Sequence, residues 1–321
     1  MGDGRVSRNG VLHAMTIDVE EHFQVSAFEG VVPREDWETL PSRVEANTER
    51  LLDLYDACGV RCTFFVLGWV AERYPELVRR IAERGHEIGS HGFSHRLIYN
   101  QTPEEFAEEA KRSRDFLREI SGQPVYGYRA ASFSITRRSL WALDALVEAG
   151  YRYDSSVFPV LHDRYGVPGA KKEIHRLKTP SGAELVEVPP STMTLGKATL
   201  PVAGGGYLRI YPRMLTRWAV RSLDKARRPA IVYVHPWEVD PEQPRVQGAS
   251  LKSRFRHYWG LKTTGPKLRE LMQRHRFGTM QEVIEQTLGP LEGEVKTPAR
   301  DYVPATGLRN PEPAAGDPAG A

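Results

Sequence analysis

From Val11 to about His235 the chain alternates short β-branched or aromatic runs with longer helical stretches. Such alternation admits few folds, because parallel strands need crossover helices between them. The runs read as strands over Leu12 to Asp18, Thr63 to Leu67, Glu87 to His91, Val125 to Tyr128, Tyr151 to Asp154, Leu185 to Val188 and Ile231 to His235. Asp18 and Glu20, His91, Arg129, Asp154 and His235 fall at or just past strand ends, the place where barrel enzymes assemble their sites. Taken singly each would serve as a cap, a turn former or a satisfied buried polar group. In a barrel they converge on one face.

Ser42-Arg-Val-Glu45 and Thr102-Pro-Glu-Glu105 have the form of capping boxes, opening helices that Gly59 and Gly122 end. Beyond His235 a basic stretch, Arg245 to His257, precedes helices around Lys267 to His275 and Met280 to Glu285. The predicted organisation is a flexible N-terminus over 1–10, a barrel over 11–240, a helical appendage over 241–288 packed on it, and a disordered tail over 289–321. The tail is rich in Pro, Gly, Ala and charge and lacks periodic apolar positions.

A hydrophobic fraction of 40% in 321 residues supports a sizeable core, and a formal charge of +3 gives no reason to expect nucleic acid. No segment approaches a membrane-spanning run, and the N-terminus lacks the apolar core of a secretory signal, which points to the cytoplasm. Cys58 and Cys62 have neither redox nor zinc-finger spacing and read as packed, reduced thiols.

Asp18 and Glu20 lie two apart at a strand end and so share a face, with Val19 turned to the buried side. His91 and His95 have helical i, i+4 spacing, but Gly92 favours a turn. Imidazole nitrogens with a carboxylate oxygen are the ligand set of a catalytic zinc, so metal-assisted hydrolysis is the leading chemistry. His235 ends a continuous apolar run and is the candidate general acid. Asp154 either orients it or is an ordinary turn or N-cap residue in Asp-Ser-Ser. The loop Ala203-Gly-Gly-Gly-Tyr-Leu-Arg lacks the lysine and hydroxyl residue of a phosphate cradle. Its glycines permit close approach of a ligand or of backbone, or simply make a turn, and Tyr207 and Arg209 are candidates to line a sugar groove.

With these residues the chain resembles the NodB-homology polysaccharide deacetylases, carbohydrate esterase family 4, and more narrowly the branch associated with bacterial exopolysaccharide gene clusters. The resemblance runs from Val11 to His235 and extends to Tyr-Trp-Gly-Leu-Lys-Thr-Thr of the appendage. It implies a distorted (β/α) barrel of about seven strands, one divalent metal ion (zinc, with cobalt or another divalent ion as alternatives), and hydrolysis of N-acetyl groups from amino sugars of an oligo- or polysaccharide. No oligomeric state follows from it. Asp18 matches the catalytic base, His91 and His95 the histidine ligands, Arg129 the arginine that orients the base, and His235 the general acid, with Asp154 in the region that supports that acid. Two departures stand out. Val19 replaces the usual second aspartate, which moves the carboxylate ligand to Glu20, and Ala130, Ala131 and Ser132 precede Phe133, which alters the groove. Phe133, Tyr207, Arg209 and Trp237 are the expected substrate contacts. A same-fold hydrolase of a small cyclic amide, and a silent scaffold binding polymer through the basic stretch, are the alternatives.

Overall fold

Strand β1 (Leu12–Val19) is the spine of the computed structural model, which describes residues 10–162, 164–196, 198–202 and 204–291. Apart from Gly10 and residues 289–291, the expected flexible N-terminus and disordered tail lie outside the described residues. The other strands are β2 (Thr63–Val66), β3 (Glu87–Ser90), β4 (Gly127–Tyr128), β5 (Tyr153–Asp154), β6 (His175–Lys178), β7 (Glu184–Glu187), β8 (Thr192–Leu195), β9 (Ala198–Pro201), β10 (Ile231–Val234) and β11 (Arg276–Gly278). All seven predicted runs lie in one sheet, ordered β10-β1-β2-β3-β4-β5-β7-β6, with β11 also paired to β1. Every pairing in it is parallel except β6 with β7. Helices connect the parallel strands, as such connections require, except between β5 and β7, where the chain passes through β6.

Four strands were not foreseen. β6 carries only one apolar residue, Leu177, and β8 with β9 forms a separate antiparallel hairpin. β11 has three residues between two helices, too few for a visible pattern. It pairs with the start of β1, so the segment after residue 240 adds a strand to the sheet as well as helices around it. Among the described residues no ladder joins β7 to β10. Across that seam the Ile231 N–H donates to Ser191 Oγ at 2.7 Å.

Alternation along the strands separates two environments. Met15, Ile17 and Val19 of β1, Phe64 and Val66 of β2, and Val232 and Val234 of β10 belong to the large core that includes residues of the surrounding helices. Their neighbours Ala14, Phe65, Tyr153, Val186 and Ile231 form a second cluster with Met280, Val283 and Ile284 of the last helix. Continuing the same parity along each strand leads to Thr16 and Asp18, Arg129, Ser155, and Tyr233 and His235.

The helix Pro103–Ser121 begins on the predicted box, with Thr102 and Glu105 exchanging both bonds, and ends at Gly122 in the left-handed region. The box proposed at Ser42 does not form. Glu21 fills that role from the loop after β1: its carboxylate accepts from the N–H groups of Arg43 (3.0 Å) and Val44 (3.1 Å) and from Ser42 Oγ. Glu45 turns instead to Arg80. A buried charge satisfied by a helix N-terminus is favourable there, and it ties that helix to the site strand. Cys58 and Cys62 are unpaired, as expected.

Two buried histidines make the fold acid-sensitive. His13 Nδ1 accepts from Ala230 N–H at 2.9 Å and His86 Nδ1 from Cys62 N–H at 3.1 Å, so each is held neutral. Burial is the main cause that lowers each to about 4, with the neighbouring His275 adding to it at His13. The unfolded chain takes these protons first, near pH 6.5. Stability is therefore full above that value and is lost as pH falls toward 4. The expected loss is up to about 3 kcal/mol per histidine. Urea midpoints measured from pH 7 to pH 4.5 should fall accordingly, and a flat series would contradict this account.

Candidate active site

The floor of the site is built from strand ends. Asp18 is the last inward residue of β1. Its Oδ1 accepts from Arg129 Nη1 at 2.7 Å, and its Oδ2 lies 3.9 Å from His235 Nε2. Arg129, just past β4, is fully buried; it also donates to Thr16 Oγ1 at 2.8 Å and to Ser155 Oγ at 3.0 Å, and its guanidinium lies 4.2 Å from the Phe65 ring centroid. Three polar partners and an aromatic face fix this cation, so the aspartate it faces is paired and held in one orientation.

Glu20 Oε2 lies 2.6 Å from His95 Nε2 and 3.6 Å from His91 Nε2. Ligand atoms of these three buried residues all fall within 4.8 Å of one another. His91 Nδ1 donates to the Arg129 carbonyl at 2.9 Å, which fixes the ring with Nε2 on the Glu20 side. His95 adopts φ of 56°, so Ser-His-Gly-Phe-Ser-His is a turn rather than a helix. Burial would raise the Glu20 carboxyl, but His95 and His235 outweigh it and hold it well below the usual range. The donor set of one carboxylate and two imidazoles fits a divalent cation.

His235 stands beside both carboxylates. Its Nδ1 donates to Glu238 Oε1 at 2.7 Å, while Nε2 is 3.6 Å from Glu20 Oε1. Burial opposes its protonation, but Glu20, Glu238 and Asp18 prevail and raise it to about 9. The floor opens into a cleft of about 420 Å³ whose walls include Phe133, Tyr165, Tyr207, Tyr233 and Trp237.

Profiles of known families divide the chain near β5. Residues 37–153 match polysaccharide deacetylase, and residues 155–285 match a domain of unknown function (DUF3473). Over residues 37–153, which include His91, His95 and Arg129, the chain is thus similar to the polysaccharide deacetylase family. Over 86 residues it is 34% identical to a peptidoglycan-N-acetylglucosamine deacetylase of Bacillus cereus, covering 25% of this chain and 31% of that one. Over 98 residues it is 29% identical to a chitooligosaccharide deacetylase of Bradyrhizobium, covering 30% of this chain and 45% of that one. The matches thus span less than half the length of these relatives. A polysaccharide-deacetylase-like crystal structure from Mycobacterium smegmatis shares the fold, with a TM-score of 0.59 at 20% identity over 90% of this chain and 96% of that one.

In this chain Asp18, Glu20, His91, His95, Arg129 and His235 come together, whereas Asp154 and Arg209 are held by other partners. Asp154 does not reach His235. Tyr153 takes the inward position of β5, so Asp154 points to the opposite side, beside Glu187 on β7. Its oxygens accept from Ser156 N–H at 3.0 Å and Ser156 Oγ at 2.5 Å. Ser156 Oγ in turn accepts from the Ala130 N–H at 2.8 Å, so Asp154 braces the backbone next to Arg129. Burial pushes Asp154 up to about 6.

Arg209 lines the cleft as expected, but it is buried and its guanidinium is engaged within the protein. Nε donates to Glu238 Oε2 at 2.5 Å, Nη1 to the carbonyls of His257 and Trp259 at 2.8 Å, and Nη2 to that of Arg256 at 2.8 Å. Glu238, three residues after His235, is the partner that sequence reasoning missed. Its signal was a carboxylate one turn past the strand-end histidine. Trp237 stacks between His235 (5.0 Å) and His257 (4.1 Å), bracing the acid as well as walling the cleft. Tyr207 stays at the cleft, its hydroxyl 3.5 Å from that of Tyr165. The glycine loop serves close approach: a Cβ at Gly204 would collide with the Tyr233 ring. Phe133 lines the cleft with φ of 53°, directly after Ser132 at 52°. Two successive non-glycine residues in this region store backbone strain where the cleft wall turns.

Proposed function

We propose that the protein is a metal-dependent N-deacetylase of amino sugars in a bacterial polysaccharide, acting in exopolysaccharide biosynthesis. The observation that carries this reading is the placement of an arginine-held aspartate and a glutamate-held histidine, 3.9 Å apart, beside a Glu-His-His cluster. The relatives named as deacetylases of peptidoglycan N-acetylglucosamine and of chitooligosaccharide support it. Among the described residues no helix is long and apolar enough to cross a membrane. On this reading the barrel and the segment after residue 240 work as one catalytic unit.

Glu20, His91 and His95 would hold the ion, zinc on the strength of the donor set. When bound, it supplies Lewis-acid polarisation of the acetamide carbonyl and of a water. Asp18, paired with Arg129, takes the proton of the attacking water. His235, protonated through Glu238 and the site carboxylates, gives its Nε2 proton to the departing amine. The Ala130 N–H is taken up by Ser156, and those of Phe133 and Ser134 by the carbonyls of Ala130 and Ala131. The N–H groups of Ala131 and Ser132 therefore face the role of steadying the oxyanion.

The test is metal content after stripping and reconstitution with zinc or cobalt, followed by acetate release from N-acetylated oligosaccharides. One ion per chain is expected, with Glu20→Ala and His95→Ala each binding it at least about 10-fold more weakly, since even loss of an outer-shell partner costs that much. A native chain that holds no specific ion would overturn the reading.

A further inference from the structure

Among the described residues the only acids lining the cleft are Asp18 and Glu20, both engaged at its floor, whereas the rim is cationic. Lys252 and Arg256 lie one turn apart on the helix Leu251–Tyr258, are exposed, line the cleft, and have no acidic partner among the described residues. Arg164 reaches the same cleft from the facing loop. From Pro244 to Arg269 the sequence has seven Lys or Arg and no Asp or Glu. This helix is not loosely attached. Arg209, which holds Glu238, takes the carbonyls of Arg256, His257 and Trp259, so the cationic rim is fastened to the element that positions His235.

A concave wall of one charge sign, fixed beside a reaction centre, concentrates ligands of the opposite sign. We infer that the cleft takes an acidic N-acetylated glycan, in which a residue near the acetamido sugar carries a carboxylate that Lys252 and Arg256 hold. This rests on the deacetylase reading and adds the substrate class. An anionic lipid surface would meet the same cations, and Leu251, Phe255 and Trp259 are exposed on the same segment. The glycan is favoured because Lys252 and Arg256 line the cleft itself, so their charge acts where a substrate lies.

The experiment measures binding of two hexasaccharides to the full chain: one alternating glucuronic acid with N-acetylglucosamine, the other N-acetylglucosamine throughout. Acetate release is followed in parallel. At about 50 mM salt the acidic hexamer should bind about 10-fold more tightly, and the ratio should fall toward one at about 300 mM salt. It should also fall toward one in the double variant Lys252→Glu with Arg256→Glu, and partway in Lys252→Gln with Arg256→Gln. A ratio near one in the native chain overturns the inference, while acetate release still tests the deacetylase reading independently. A ratio unchanged in both double variants also overturns it, as does loss of binding only to phosphatidylglycerol vesicles, which would assign the helix to a membrane. A charge-dependent ratio without acetate release supports the inference and counts against the hydrolase.

Discussion

Asp18→Asn should lower turnover of an acetylated oligosaccharide by about two to four orders of magnitude, the usual cost of removing a general base. The substitution keeps the shape of the side chain and removes its basicity. Metal content should stay near one ion per chain, because the cluster of Glu20, His91 and His95 does not include Asp18. A second effect follows from Arg129. Its guanidinium is fully buried and Asp18 is its charge partner, so the variant leaves a buried cation whose remaining hydrogen-bond acceptors, the amide oxygen at position 18 with Thr16 and Ser155, are all neutral. Breaking such a pair from one side costs about 3 to 5 kcal/mol. The kinetic and stability losses separate by assay: kcat on the folded, metal-loaded fraction reports the base, and the urea midpoint reports the pair. His235→Ala should show a comparable kcat loss. Near-normal turnover in either variant would remove that residue from the mechanism.

Much of the fold was legible because alternation and strand-end polarity are local signals. All seven predicted strands exist, and the convergence of Asp18, Glu20, His91, Arg129 and His235 follows from their positions at the same ends of parallel neighbours. Of the two readings of Asp154, period two already favoured the local turn. Tyr153 and Ser155 share parity with the inward residues, so period two already turned Asp154 away from His235. Other features had no local signature. Glu21 caps a helix that begins more than twenty residues later, a long-range bond that displaces a well-formed local box. Arg209 looked like a groove residue because its loop lies at the cleft. Its actual partners, Glu238 and three carbonyls of the segment 256–259, come from two distant parts of the chain.

Those partners give Arg209→Met a large expected cost to the fold. Glu238 has a fully buried carboxylate; burial would raise it, but Arg209 and His235 outweigh this and hold it lowered. Removing the guanidinium leaves that charge against His235 alone and frees three carbonyls that anchor the basic helix. About 3 to 5 kcal/mol should be lost. Glu238→Gln breaks the same pair from the other side, and the double variant should lose less than the sum of the two, as residues in one network do. The pH profile distinguishes positioning from mere packing. Glu238 is among the groups that raise His235 to about 9, so without its charge His235 falls toward its ordinary value. The acid must be protonated to act. The alkaline limb of kcat should therefore move to lower pH in Glu238→Gln, whereas a purely structural role would lower activity and leave that limb in place.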